Sequence, residues 1–325
     1  MKAFVADPGL TQSSDALTFA SLPIIEDDQD EPGEQDEDLD DDLGGHAEEL
    51  AMSSPKKKNN TDAIHILQEI PELASLGRVF RSTKPVPLTE SETEYVVECV
   101  KHIFEDHVVV QFLVQNTLDD QRLDNVTVSV ETEPGIYEVT GEIAAEHIKY
   151  GDIGNCFAVV ERNTSESITA SKFSCEMKFA ITQIDPATGE EEGEPYDEEY
   201  PLEELEVTAS DYMARVAVPD FRAAWESMGN DNEVLSKFAL EFKTQEAAVT
   251  AVIAHLGMQP CDGTGTVKPG GKPHLLHLSG VFVGGRSVLA RAQVSLQQEA
   301  AGVIFKIAVR SEDKIISEMV TGCIV

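Results

Sequence analysis

Basic residues are scarce: 24 Lys and Arg stand against 60 Asp and Glu, leaving a formal net charge of −36 over 325 residues. A chain so acidic repels phosphate backbones and anionic headgroups, so nucleic acid and direct membrane contact are excluded as its main business. Cysteine is also sparse. Cys99, Cys156, Cys175, Cys261 and Cys323 are odd in number and form no CxxC pair, which suits reduced thiols in a cytoplasmic protein. No apolar run approaches the roughly 18 residues of a membrane span. Asp7 and Pro8 interrupt the first ten residues, so no secretory signal is read there.

Catalytic signatures are missing too. No GxSxG, HExxH or kinase set occurs. The glycine-rich stretch 263–272 fails as a phosphate loop, because Thr266 stands where the first glycine belongs and Pro273 follows Lys272. His274 and His277 lie near Cys261, but on a strand they would point to opposite faces, and no fourth ligand is suitably spaced. The acidic run fails as a calcium loop because its twelfth position is Leu39. The reading is therefore no catalytic residue, no metal site, no cofactor and no enzyme.

What is present is unevenly spread. Residues 1–74 hold 19 acids and 4 bases, residues 75–206 hold 29 and 9, and residues 207–325 hold 12 and 11. The last third alone would offer an acidic ligand little repulsion. Glu26 to Asp42 contains twelve acids and no base, so residues 1–61 read as a disordered acidic hinge or linker. From Asp62 an amphipathic helix (Ile64, Ile66, Leu67, Ile70) is expected to stop before Pro71.

Residues 90–206 carry about seven strand signals: 95–104, 108–114, 126–130, 136–139, 156–160, 173–184 and 202–207. They predict an immunoglobulin-like β-sandwich, with most of 185–206 as an exposed hairpin loop. After Ser210 the pattern changes. Asp220 caps a short helix that Gly229 stops, and Thr244 caps a longer one ending at Gly257. Strands are expected at 234–242, 275–283, 287–296 and 303–309, with a short one at 315–319. The whole predicts a mainly β chain: a linker over 1–61, a sandwich with its leading helix over 62–210, and a small α+β unit over 211–325.

Trp225 is the one chemically suggestive residue. Phe221 and Trp225 are i,i+4 neighbours and form an aromatic ridge. Bracketed by Arg222 and Glu226, Trp225 reads as an exposed anchor for a peptide, with ordinary core packing as the alternative. Arg291 and Arg310 would flank it with positive charge.

These residues carry a resemblance. Pro87 to Val96, Asn116-Thr117-Leu118, Glu131, Phe221 to Glu226, Leu256 to Cys261 and Gly280 to Gly285 together resemble the C-terminal appendage of coatomer gamma subunits, over roughly residues 62–325. The resemblance implies a sandwich followed by a platform subdomain that holds partners around Trp225. Phe221 lies one turn earlier, and Arg291 and Arg310 match basic rim positions, beside which Gln293 replaces a further base. It implies a non-enzymatic module of the COPI coat, cytoplasmic and peripheral on Golgi membranes and COPI vesicles. Its implied partners are Arf GTPase-activating protein and other coat accessory proteins. Other coatomer subunits would be engaged mostly through a helical trunk that this chain lacks, so it resembles a fragment beginning in the hinge, with only indirect membrane association. The alternative is an acidic chaperone or adaptor for basic proteins, resting on 26–42 and 185–206 alone.

Overall fold

The computed structural model describes residues 66–132, 134–163, 171–268, 272–297 and 302–324; the acidic stretch 1–61 and the first residues of the leading helix lie outside them. In chain order the first half contains α1 (Pro71–Ala74), β1 (Arg81–Ser82), β2 (Val86–Pro87), β3 (Tyr95–Ile103), β4 (His107–Asn116), β5 (Gln121–Glu131), β6 (Tyr137–Ile143), β7 (Ala145–Ile148), β8 (Ile153–Arg162), β9 (Ser171–Ile184), β10 (Glu191–Pro201) and β11 (Leu205–Val207). They make two sheets, ordered β1-β3-β4-β8-β6 with β2 also on β3, and β10-β9-β5-β7 with β11 also on β9.

Every second residue faces inward, as the two-residue period of a strand requires. Val97 and Cys99 of β3, Val110 and Phe112 of β4, Val126 and Val128 of β5, and Phe173 and Met177 of β9 share one buried core. The register of β5 shifts against β9 between Asp124 and Thr127, where Asn125 takes a positive φ of 51°. That extra residue moves the inward set from Leu123 to Val126, the ordinary effect of a bulge.

Asp124, beside the bulge, receives Arg122 in a two-pronged pair at 2.7 and 3.1 Å, Thr182 Oγ1 at 2.6 Å and His147 Nδ1 at 2.6 Å. Burial pushes its carboxyl upward, but the hydrogen bonds from Arg122, Thr182 and His147 prevail and bring it down to about 2. A depressed carboxyl stabilises the fold fully above its unfolded value near 3.9, and that contribution is lost as pH falls through the folded value. The difference in melting temperature between wild type and Asp124→Asn is therefore expected to be large at neutral pH and to shrink between pH 4 and 2. A pH-independent difference would overturn this.

One expectation needs correction here. Residues 185–206 are not mostly loop: β10 pairs along β9 from Glu191↔Ile184 to Pro201↔Glu176, with a bulge between Glu192 and Tyr196. Its residues are almost all exposed on both faces, so backbone pairing at the sheet edge, not apolar burial, makes it a strand. The leading helix stops before Pro71, as expected. Ile70 breaks it in extended geometry, and α1 restarts with Pro71 at its first position, where a missing N–H costs nothing. Leu67 and Leu73 then cover Phe104, Val109, Phe157 and Val159 on the outside of the first sheet.

The second half contains a 3₁₀ turn (Ala209–Tyr212), β12 (Met213–Arg215), α2 (Phe221–Met228), β13 (Val234–Leu240), α3 (Gln245–Leu256), β14 (Gln259–Pro260), β15 (His274–Phe282), β16 (Arg286–Gln297), β17 (Gly302–Ser311) and α4 (Lys314–Gly322). Its sheet is ordered β12-β15-β16-β17-β13, with β14 also on β15. One face (Leu276, Leu278, Ala290, Ala292, Phe305, Ile307) packs against Ala248, Val252 and Leu256 of α3 and Ile316 and Val320 of α4. The expected strand at 315–319 is thus a helix. Asp313 Oδ1 accepts from the Ile315 N–H as its cap, and Ile316 and Val320 lie one turn apart on its buried side.

The halves meet at residues 207–213. Lys101, on the inner face of β3 yet charged, donates to Asp211 Oδ2 at 2.7 Å and to the Glu206 carbonyl at 2.7 Å. The same carboxylate closes a capping box with Thr208. Arg81 donates to the carbonyls of Ser210 and Met213 at 2.6 and 2.5 Å, and Tyr137 and Tyr212 share a hydroxyl contact at 3.1 Å. Gly257, left-handed at φ 63°, ends α3 against Ser210, where a Cβ would come within 2.9 Å of the Ser210 side chain and carbonyl. Only glycine allows that approach.

Candidate functional site

The face of the β12-β15-β16-β17-β13 sheet opposite α3 and α4 carries α2. Asp220 Oδ1 accepts from the Ala223 N–H and Gly229 follows the last turn at φ 71°, so both helix signals in the sequence operate. Phe221 and Trp225 pack with Cys261, Leu289 and Ala308. The two rings stack at 5.7 Å, and Phe221 lies parallel to the His277 ring at 4.4 Å and 5°. His277 Nδ1 in turn donates to Asp262 at 2.9 Å.

Trp225 is 7% exposed and Phe221 2%, so the expectation of a protruding anchor is corrected. Arg222 and Glu226, which bracket Trp225 in sequence, pair with each other at 3.2 Å on the solvent side. The indole points instead to the sheet, under the Arg310 guanidinium, whose carbon lies 4.2 Å from the ring centroid. Arg310 also donates to the Trp225 carbonyl at 2.7 Å and to Glu233 at 2.6 Å, with both side chains about 15% exposed. Arg310 is therefore built into the support of Trp225. Arg291, on the next strand, is half-buried; burial first, and then the charges of Arg310 and Arg222, lower its pKa from the usual value. It remains a cation at neutral pH.

Register fixes what lies beside α2. One row across the sheet is His277, Arg291, Ala308 and Leu235; the next is Leu275, Gln293, Lys306 and Lys237. Gln293 is buried, Leu275, Lys237 and Lys306 are half-exposed, and Leu235 is exposed. The structure thus brings Phe221, Trp225, Arg291 and Arg310 together, with the aromatic pair inside and the cations around it. Sequence reasoning missed Lys237 and Lys306. Their alternation with the buried Phe238, Phe305 and Ile307 marks outward strand positions, but only register shows that they meet.

His274 Nε2 pairs with the Thr264 carbonyl at 2.8 Å and His277 with Asp262, so neither converges with Cys261. Among the described residues no group of three His, Cys, Asp or Glu could hold a metal, and no helix is long and apolar enough to cross a membrane. All five cysteines are free thiols.

Comparison with known proteins gives the class. A model of the coatomer gamma subunit appendage platform subdomain matches residues 61–208, and one of the coatomer subunit gamma-1 C-terminal appendage platform matches residues 210–324. The described part of the chain is an appendage, and the two matches meet within the clamped junction. The chain belongs to the coatomer gamma subunit family. It is 44% identical over 273 residues to coatomer subunit gamma-2 of Bos taurus, covering 82% of this chain and 31% of that protein. Identity is 43% over 250 residues to gamma-2 of Homo sapiens (76% and 28%) and 40% over 272 residues to gamma-1 of Mus musculus (82% and 30%). The chain thus spans about 30% of the length of these relatives.

Proposed function

We propose that this chain is a non-enzymatic protein-interaction module of the COPI vesicle coat. In this reading residues 1–61 are a linker, 62–210 a sandwich that supports, and 211–325 a platform that binds. It recruits an Arf GTPase-activating protein and related accessory factors on the cytoplasmic side of Golgi membranes and COPI vesicles, touching the membrane only indirectly. Contacts with other coatomer subunits belong mostly to parts that its longer relatives possess.

One observation carries the reading: in a chain of net charge −36, half-buried Arg291 lies within electrostatic range of Arg310 and Arg222, and Arg310 lies over Trp225. Such a cluster favours an acidic partner and steers it from a distance. Trp225, Phe221 and Arg310 act as positioning residues, and Arg291 as the charge that meets the partner.

Arg291→Glu is expected to weaken retention of an Arf GTPase-activating protein at least about tenfold in pull-down at low salt. The loss should be smaller at 0.5 M salt, with an unchanged circular dichroism spectrum. Undiminished binding by the folded variant would overturn the assignment.

A further inference from the structure

β13 (Val234–Leu240) is the outer strand of the β12-β15-β16-β17-β13 sheet and pairs only with β17, in unbroken register from Val234↔Val309 to Leu240↔Val303. Its other edge presents backbone N–H and C=O groups that no strand or loop among the described residues takes up. Sheets ordinarily guard such edges by brevity, proline, a bulge or charge. Among the described residues the remaining outer strands are guarded in these ways. β1, β2, β7, β11, β12 and β14 are short. β6 carries a bulge between Val139 and Gly141, and β10 has Pro195, Pro201 and a bulge of its own. β13 runs for seven residues with neither proline nor bulge, and its one charge is Lys237.

Register fixes what a further strand laid on this edge would meet. Along the face that carries α2, β13 offers exposed Leu235 and half-exposed Lys237 and Ala239 in turn. Each begins a row across the sheet: Leu235 to Ala308 and Arg291, Lys237 to Lys306 and Gln293, Ala239 to Ile304 and Ser295. Lys237 and Lys306 face each other directly, and like charges so placed oppose folding. Neither forms an ion pair among the described residues, whereas Glu233 and Asp262 nearby are already held, by Arg310 at 2.6 Å and His277 at 2.9 Å. A carboxylate added to the lysine row would stand one strand spacing, ~4.8 Å, from Lys237 and offset that repulsion. On the rows to either side, Leu235 and the pair Ala239 and Ile304 match apolar side chains.

A second copy does not meet these demands. Two β13 edges paired antiparallel about their centres would set Lys237 against Lys237, and each chain brings a net charge of −36.

We propose that β13 is a strand-addition site: an extended segment of a partner, acidic at its centre and apolar two places to either side, joins this edge as a further strand of the sheet. Main-chain pairing supplies the affinity, and the side chains beside Leu235, Lys237 and Ala239 supply the selection. This deepens the recruitment proposal and rests on it: the recruited segment acquires an extended backbone and a side-chain pattern.

The test uses the full chain and a fluorescein-labelled heptapeptide with glutamate at its centre, valine two places to either side and threonine between them. Binding is followed by anisotropy at low salt. Saturable binding is expected, and a peptide with lysine at its centre should bind at least about tenfold more weakly. Lys237→Glu should reverse that preference, a charge swap that an unfolded variant would not produce. Methylating the backbone nitrogens of alternate peptide residues removes the donors along one edge of the peptide. One alternate set should cut binding at least about tenfold and the other less than about twofold. Equal losses from the two sets would overturn strand addition, and an unchanged preference in Lys237→Glu would overturn its assignment to β13. A wild-type dimer in sedimentation that the peptide dissociates would seat a second copy on the edge and overturn the acidic partner. No binding of the glutamate peptide at about millimolar concentration would overturn the inference, leaving the Arg291→Glu pull-down to judge recruitment alone.

Discussion

Trp225→Ala is expected to lower the stability of the protein by about 3–5 kcal/mol, the range for removing a large buried aromatic. The indole is 7% exposed and lies against Leu289 and Ala308, with Phe221 stacked on it and the Arg310 guanidinium over it. Truncation opens a cavity under α2 and strips a cation–π contact from a charge that is itself mostly buried. Because the chain has one tryptophan, unfolding is followed by circular dichroism, where a fall in melting temperature on the order of 10 °C is expected. Trp225→Phe should keep more than half of the lost stability. An Ala variant melting within 2 °C of wild type would return the residue to the surface role that its neighbours suggested. Loss of partner binding in Trp225→Ala alone is therefore no proof of contact, and Arg291→Glu is the cleaner probe.

Lys101→Met should be comparably costly, about 3–5 kcal/mol, for a different reason. Lys101 and Asp211 are each 9% exposed and pair at 2.7 Å. Removing one charge leaves the other buried without its counter-ion, whereas removing both is often close to neutral. Lys101→Met with Asp211→Leu is thus expected to regain most of the stability lost in the single variant, measured by urea unfolding. Protease cleavage between residues 207 and 213 should rise in the single variant and fall back in the double. A double variant as unstable as the single would show that the junction depends on the pair's geometry and not on charge balance.

The sequence disclosed those features that local chemistry dictates. Asp220 and Gly229 delimit α2, and Thr244 and Gly257 delimit α3, because caps and left-handed stops act within a turn. Alternating Val and Phe gave the central sandwich strands. β10 was invisible because its residues alternate nothing: Glu191 to Glu199 becomes a strand through pairing with β9, a long-range condition. α4 was misread because Ile315, Ile316, Met319 and Val320 satisfy a short apolar run and a helix face alike, and Asp313 decides only in the fold. For the site, the four named residues do assemble. The depth of Trp225 and the meeting of Lys237 with Lys306 depend on how β13, β16 and β17 lie beside one another, which no single segment encodes.

β10 closes one margin of the second sheet, and its outward composition has a colloidal consequence. A free strand edge is an invitation to polymerise, since a second copy can extend the sheet through the same backbone groups. Here the edge bears six carboxylates among eleven residues, together with Pro195, Pro201 and the bulge at Glu192–Tyr196. Two copies meeting edge to edge would bring both sets of carboxylates within the ~4.8 Å spacing of paired strands. Crowding therefore raises the repulsion between copies at this margin, which opposes edge-to-edge fusion through β10.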